Sequence, residues 1–291
     1  MLRLLLLLVL AAAAARPADA ADQALRDRVT ELFKQRQWAE AQTVLEKVTT
    51  DEPANAEAWN FLGQVFLARN DHEKAVPAFE KATELAPANS EYFRTLGDAY
   101  GLAAQSAGLL SKYGWAKKCK AAYDHAVELD PANIAARWSV MEYCRQAPAI
   151  AGGGMDGAYA QAEAIRTLDP NRGRVALAIL YVADKKMVEA FALYDEALRA
   201  DPDDYTTLYQ LGRLSAMTGQ RLEQGLVNLR KCLTLPVPPN QPGPAPVNWR
   251  IGNLLEKTGD KPGAKTAYEA AIAIDPKFVQ AIESLRKLTA G

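Results

Sequence analysis

The stretch Ala56–Asn89, AEAWNFLGQVFLARNDHEKAVPAFEKATELAPAN, decides the fold of this chain. Gly63 and Ala75 are small residues, placed where two consecutive helices would cross closely. Pro87 ends the second helix, because a proline ring clashes with the preceding helical turn. Other apolar residues fill the space between the helices: Trp59, Leu62, Phe66, Phe79 and Ala82. One helical pair cannot bury its own apolar face, so the stretch predicts a stack of such pairs.

The same spacing recurs along most of the chain. The predicted pairs span about residues 22–55, 56–89, 90–133, 134–172, 173–204, 205–235 and 245–278. A Pro-rich loop at 236–246 is predicted to be an extended, polyproline-like spacer, with a ligand for another protein's aromatic groove as the alternative. An amphipathic helix at 278–289 is predicted to cap the stack, because an open end would expose apolar surface.

Two segments depart from the regular spacing. About ten extra residues in the third pair predict longer helices, broken near Gly108 or Gly114. The segment AGGGM enlarges the turn inside the fourth pair. A Gly-rich segment before a helix can bind phosphate, but it normally follows a strand and precedes Lys-Ser/Thr, and both are missing here. We therefore predict a flexible loop at this point.

The residues of 56–89 match the pattern W-x2-L-G-x2-Y, A-x3-F, P, and the chain resembles the tetratricopeptide repeat family. The resemblance implies an all-α, right-handed α-solenoid of about seven repeats, whose inner helices line a concave groove that binds peptides or proteins. One subtype of the family holds a peptide in a two-carboxylate clamp made of Lys, Asn and Arg. The matching positions here are Arg26, Thr30, Phe61, Glu91 and Thr95. Only Arg26 has suitable chemistry, so we predict no such clamp.

Residues 1–20 are typical of a secretory signal peptide. Arg3 supplies the positive charge, and Leu4–Ala15 is an apolar run that is short for a membrane span. Ala18-Asp19-Ala20 has the small residues of a cleavage site. The pattern predicts cleavage after Ala20, with a periplasmic or secreted protein as the product. An uncleaved anchor is the alternative.

The three cysteines, Cys119, Cys144 and Cys232, fall at or near positions where the repeat needs a small or buried residue. Unpaired cysteine behaves as a small apolar residue, so buried thiols are the favoured interpretation. A Cys119–Cys144 disulfide is the alternative for an exported protein.

The sequence offers little for chemistry. The net charge of −1, without a run of like charges, gives no basic face for nucleic acid. His72 and His125 lie among charged residues, and no metal-ligand spacing or nucleophile motif occurs. We predict no catalytic residue, no cofactor and no metal, and keep an enzyme site assembled from distant residues as a remote alternative.

The family's inward-facing positions predict a binding surface. The N-terminal set is polar: Arg26, Asn60, Gln64, Arg94 and Asp98. The C-terminal set is rich in aromatic residues, with Arg among them, which is typical of binding hot spots: Trp138, Tyr181, Tyr209, Arg213, Met217, Trp249 and Asn253. Trp138 and Trp249 each lie one residue after the usual core position of the repeat. One residue turns a side chain by about 100°, so each ring faces either the groove or the core.

Two functions follow. The first is a protein–protein interaction scaffold of the bacterial cell envelope, which binds a partner across Tyr181, Tyr209 and Trp249, oriented by Arg213. The second is a structural subunit, assembled permanently into an envelope complex through its edges or its Pro-rich loop. The capping helix favours the first, and a monomer, because it closes the C-terminal end.

Overall fold

A computed structural model describes residues 17–290, with side chains described for 23–108 and 111–290. In chain order the α-helices are α1 (Pro17–Lys34), α2 (Trp38–Asp51), α3 (Ala56–Ala68), α4 (His72–Leu85), α5 (Ser90–Ser106), α6 (Leu109–Leu129), α7 (Ile134–Gln146), α8 (Met155–Leu168), α9 (Pro170–Ala183), α10 (Met187–Ala200), α11 (Tyr205–Thr218), α12 (Leu222–Cys232), α13 (Pro244–Thr258), α14 (Lys261–Ile274) and α15 (Val279–Ala290). Residues 1–16 of the predicted leader lie outside the described residues.

The helices form seven consecutive pairs, α1/α2 to α13/α14, and α15 follows the last pair. No strand occurs in residues 17–290. The predicted all-α repeat architecture is therefore confirmed. Contacts group the chain into two compact units, one ending at Asn133 and the other beginning at Ile134. Helices α1–α6 belong to the first unit and α7–α15 to the second.

A glycine in the first helix of four pairs allows that helix to lie against a large side chain of the second. A Cβ atom at Gly63 would lie 2.7 Å from the Phe79 ring, and one at Gly97 would lie 2.4 Å from Tyr123. Gly212 stands in the same relation to Leu229, and Gly252 to Tyr268. Distances this short exclude any side chain larger than hydrogen, which explains the recurrent glycine in physical terms.

Helix ends follow ordinary capping chemistry. Asn55, Asp71, Asn89, Asp204 and Asp260 accept hydrogen bonds from backbone N–H groups of the helices that they precede. Each cap satisfies amide groups that the first helical turn leaves without an intrahelical partner.

A single residue joins α8 to α9. The backbone N–H of Asp169 donates to Ile165 O at the end of α8, and its side chain accepts from the amides of Asn171 and Arg172, each over 3.0 Å. Pro170, the first residue of α9, needs no N–H partner there. A Cβ atom at Gly173 would lie 2.1 Å from Arg166 Cα, so the two helix ends are in close contact.

The third pair contains α6, the longest helix of the first unit. The break expected at Gly108 or Gly114 lies at Gly108, the N-cap of α6, and Gly114 lies inside α6. The extra residues therefore extend both α5 and α6, which are 17 and 21 residues long, against 13 and 14 for α3 and α4.

The segment predicted to be a flexible loop has a defined, hydrogen-bonded conformation, which corrects that prediction. Ala149–Ala151 forms one 3-10 turn, and Ala151 is buried with its carbonyl accepting from the Tyr143 hydroxyl over 2.8 Å. The amide of Gly154 donates to Cys144 O over 2.7 Å. A Cβ atom at Gly153 would lie 1.9 Å from Ala147 O. The glycines thus allow close backbone packing.

The Pro-rich loop is also more compact than predicted. The amide of Gln241 donates to Pro238 O over 3.2 Å, and Asn240 has a φ of 61°. Proline followed by a left-handed residue is the arrangement of a type II turn, so the loop bends rather than remaining extended. The Tyr205 hydroxyl donates to Pro242 O over 2.6 Å and holds the loop against α11.

Cys119, Cys144 and Cys232 are buried thiols outside any disulfide, so the alternative Cys119–Cys144 bridge does not form. The last helix packs on the second unit through Ala281, Leu285 and Leu288. Within the described residues, no helix combines the length and the apolar character that a membrane span requires.

Candidate functional site

The first helices of the repeats form the inner face of the second unit. Helix α9 packs on α11, and α11 packs on α13. Comparable packing among the second helices, α10, α12 and α14, is absent from the described residues. Helices that touch on one side and splay on the other produce a concave surface on the touching side. The surface that can hold a partner is therefore the one made by α9, α11 and α13.

Four of the five polar inner residues of the first unit bind neighbouring side chains, and Arg26 pairs with Glu57 over 2.6 Å. Arg94 donates from Nη1 to Asp98 Oδ2 over 2.7 Å, and the Tyr123 hydroxyl donates to Asp98 Oδ1 over 2.7 Å. Burial raises the pKa of Asp98, partly opposed by Arg94. Asn60 is buried and accepts from the Thr95 hydroxyl over 2.8 Å. This network satisfies the groups internally.

Tyr209 lies mostly inside the second unit. Its side chain is 5% exposed and belongs to a buried cluster with Leu229, Leu254 and Tyr268. Its hydroxyl oxygen accepts a hydrogen bond from Arg250 Nε over 2.9 Å. The ring predicted to anchor a partner therefore supports a neighbouring helix, and only its hydroxyl reaches the inner face.

Trp249 packs against the last helices of the chain. Its ring meets Phe278 edge to face at a centroid distance of 5.8 Å, and its Nε1 donates to the Ser284 hydroxyl over 3.0 Å. Of the two orientations that the sequence leaves open, the structure places this ring at the junction with α15.

Two further predicted aromatics lie apart from Tyr209 and Trp249. The Tyr181 ring lies 5.6 Å from the ring of Tyr159 on α8, and its neighbour Val182 lines the crevice between α9 and α11. Trp138 is half-buried on α7. The structure does not bring the four predicted aromatic residues into one surface.

The other three predicted residues do share the inner face. Arg213 and Met217 line an apolar crevice with Ile179 and Val182. Met217 and Asn253 line an adjoining open cleft of about 490 Å³, together with Arg250, Glu256 and Lys257. Met217 is 52% exposed and borders both depressions. We call this cleft between α11 and α13 the α11/α13 cleft.

Arg250 is the most organised charged group of the α11/α13 cleft. Its guanidinium lies over the Trp249 ring at 4.9 Å and over the Tyr209 ring at 5.5 Å, in addition to the hydrogen bond from Nε. Contact with aromatic faces stabilises a guanidinium and limits its rotation. No carboxylate of the described residues pairs with it, so its terminal N–H groups remain available.

The remaining charges give the α11/α13 cleft an excess of positive charge. Lys257 follows Arg250 by two helical turns on the same face of α13, and Glu256 is the opposing acid. The Tyr268 hydroxyl lies 2.8 Å from both Glu256 Oε2 and Asn253 Oδ1. Burial and the adjacent Glu256 carboxylate raise the pKa of Tyr268, which keeps the hydroxyl protonated.

Arg250 and Lys257 were missed at the sequence level. A usable signal was present, because Arg250, Asn253 and Lys257 are spaced by three and four residues and so share one helical face. Trp249, which was predicted to be the binding residue of this turn, lies at the junction with α15, and Arg250 lies at the cleft.

Two segments of the chain match models of a known protein family. Two models described as tetratricopeptide repeat match residues 26–90 and 245–278. The chain contains tetratricopeptide repeats. No curated protein matches the sequence.

Solved structures of other tetratricopeptide repeat proteins have a similar fold. One from Parabacteroides merdae is 16% identical, with a TM-score of 0.57, and the match covers 92% of this chain and 98% of that one. A thermophilic TPR protein from Thermus thermophilus is 20% identical, with a TM-score of 0.52, covering 66% of this chain and 97% of that one. Identities this low support the shared fold alone. Among the described residues no cluster of His, Cys, Asp and Glu could hold a metal ion.

Proposed function

We propose that this tetratricopeptide repeat protein is a non-enzymatic scaffold that holds a segment of a partner protein on the concave face of its second unit. The observation that carries the proposal is the geometry of Arg250, fixed on two aromatic rings at the edge of the α11/α13 cleft. A side chain ordered before binding loses little conformational entropy when a partner arrives.

The chemistry of the α11/α13 cleft indicates the kind of segment that fits. Arg250 and Lys257 favour a carboxylate, since a guanidinium binds a carboxylate through two parallel hydrogen bonds. Met217 is a flexible apolar side chain that adapts to different partner surfaces. We expect a segment with an acidic residue next to an apolar one.

The proposed location is the bacterial cell envelope, with residues 1–20 removed. The support is the pattern of the first residues, which combines a positive charge, a short apolar run and an A-x-A site. The mass of the native protein should correspond to a chain that begins at Ala21. A mass that includes Met1–Ala20 would contradict both the cleavage and the periplasmic location.

Site-directed photocrosslinking in intact cells tests the scaffold. A photoreactive residue at position 217 should capture a partner, whereas one at Val188, which is 75% exposed on α10, should not. Arg250→Ala should weaken capture by about 2 kcal/mol, in the range of hot-spot residues, and Arg199→Ala on α10 is the matched control. Equal capture by the Arg250→Ala protein and the parent would exclude the α11/α13 cleft as the site.

A structural subunit is the second candidate, and the C-terminal end of the chain favours it. Ile274, Val279 and Ile282 are 53%, 58% and 41% exposed there. Exposed apolar residues on the last helices of a repeat stack offer a surface on which a further helix can pack. A permanent subunit would co-purify with its complex in a fixed ratio, and Ile282→Glu would release it. A groove-binding scaffold would be a stable monomer that this substitution leaves intact.

A further inference from the structure

The extended α5–α6 hairpin of the first unit carries a second, separate surface. Residues 99–123 contain Lys112, Lys117, Lys118 and Lys120 and no acidic residue, in a chain whose net charge is −1. Lys120 pairs with Asp124 over 2.6 Å. The other three lysines form no ion pair with the described residues. Positive charge is therefore concentrated in the first half of α6.

Aromatic rings hold two of these lysines in place. Lys117 Nζ lies 4.8 Å from the centre of the Tyr113 ring, one helical turn away. Lys118 Nζ lies 4.8 Å from the Trp115 ring and 5.4 Å from the Tyr100 ring on α5. Attraction between an ammonium group and the face of a ring restrains the lysine without neutralising it. We call Tyr113, Trp115, Lys117 and Lys118 the lysine patch.

Glu80 supports the lysine patch through a tyrosine and forms no ion pair with its lysines within the described residues. Glu80 on α4 accepts a hydrogen bond from the Tyr100 hydroxyl over 2.7 Å. That bond holds the Tyr100 ring beneath Lys118, and burial together with Glu80 raises the pKa of Tyr100. Glu80 thus fixes the position of the Tyr100 ring, over which Lys118 lies.

We propose that the lysine patch binds an acidic segment of a partner protein, rich in Asp or Glu. Charge complementarity is the argument for this partner, because ordered, unpaired ammonium groups favour carboxylates. The surface lies in the first unit and does not depend on the α11/α13 cleft.

Two other ligands fit the lysine patch less well. A helix that lies in a membrane surface presents a continuous apolar face to lipid, but among the described side chains of α5 and α6 Tyr113, at 39% exposed, is the one large apolar group left exposed. Single-stranded nucleic acid stacks on open aromatic faces, whereas Lys117 and Lys118 lie over one face of Tyr113 and one face of Trp115.

Fluorescence anisotropy tests the proposal with the full-length mature protein. The probe is a short fluorescein-labelled peptide of alternating Glu and Ser, and the control probe has Gln in place of Glu. Lys117→Gln/Lys118→Gln should weaken binding of the acidic probe roughly fivefold or more, as expected for two exposed charge contacts. Lys34→Gln/Lys287→Gln removes the same charge from exposed helical sites and should leave binding unchanged.

Three further measurements make the test specific. Lys117→Arg/Lys118→Arg should retain binding, because the charge and the ring contact both persist. Binding should fall as salt rises. Equal binding by the Gln variant and the parent, equal binding of both probes, or preferential binding to vesicles of phosphatidylserine and phosphatidylcholine would each overturn the proposal. Circular dichroism verifies that the exposed Lys-to-Gln changes leave the helices intact.

Discussion

The Nε atom of Arg250 donates a hydrogen bond to the hydroxyl oxygen of Tyr209 over 2.9 Å, which links α13 to α11 at the inner face. This contact joins the buried core to the α11/α13 cleft, since Tyr209 is held by core packing on one side and holds Arg250 on the other. The orientation of the guanidinium therefore depends on a residue that is itself only 5% exposed.

Tyr209→Phe should release Arg250 while leaving the fold intact. The loss of one partly exposed hydrogen bond costs about 1 kcal/mol, so the melting temperature should change little. The Nε–H signal of Arg250 in a ¹⁵N NMR spectrum should exchange with water faster than in the parent. Tyr181→Phe is the control and should leave that signal unchanged. An equally protected Nε–H in both variants would show that the ring contacts alone fix the guanidinium.

Two glycines of the α5–α6 hairpin should respond to alanine in opposite directions. Gly97→Ala places a methyl group 2.4 Å from the Tyr123 ring and should destabilise the protein by about 1–3 kcal/mol. Gly114→Ala, inside α6 with nothing within 4 Å, should stabilise it by about 0.4–1 kcal/mol through the unfolded chain. Urea unfolding followed by circular dichroism measures both. If both substitutions change the free energy of unfolding in the same direction, the close crossing of α5 and α6 is contradicted.

Alkaline pH should destabilise the protein through its buried thiols. Burial raises the pKa of Cys119 and of Cys232 to about 12, against about 8.5 for an unfolded cysteine. Their contribution to stability is complete below the unfolded pKa and is lost as pH rises toward the folded value. Unfolding free energies measured across this range should fall, and replacing both cysteines with alanine should reduce the slope. At pH 8 the native thiols should react slowly with a disulfide reagent, and immediate labelling would contradict their burial.

The segment Ala147–Asp156 should tolerate no side chain at Gly153. Its alanine Cβ would lie 1.9 Å from Ala147 O, so Gly153→Ala should force the backbone apart and accelerate amide exchange at Gly154. Gly108→Ala is the matched control, because a Cβ atom there has nothing within 4 Å. If hydrogen exchange shows both variants equal to the parent, the close backbone contact is not maintained in solution.

Much of the fold could be predicted from the sequence because local chemistry repeats. Gly63 lies against the Phe79 ring where two helices cross, and a glycine makes the same kind of contact in three other pairs. The α11/α13 cleft was harder to predict. A rotation of the helix by one residue, about 100°, decides which side chain lies on the inner face. Trp249 turns toward Phe278 and Ser284, and so Arg250 comes to the inner face. The contact that decides this rotation comes from α15, which the repeat pattern does not describe.

The junction at Asp169 has a mechanical consequence. Asp169 is both the last capping residue of α8 and the first of α9, so no loop between the fourth and fifth pairs can extend. A pulling force therefore acts on both helices at the same time. The junction between α12 and α13, by contrast, contains a bent loop whose length can be drawn out before either helix is loaded. Under tension, the second unit should therefore lengthen first at Leu233–Gly243, as an elastic element, while α8 and α9 yield together.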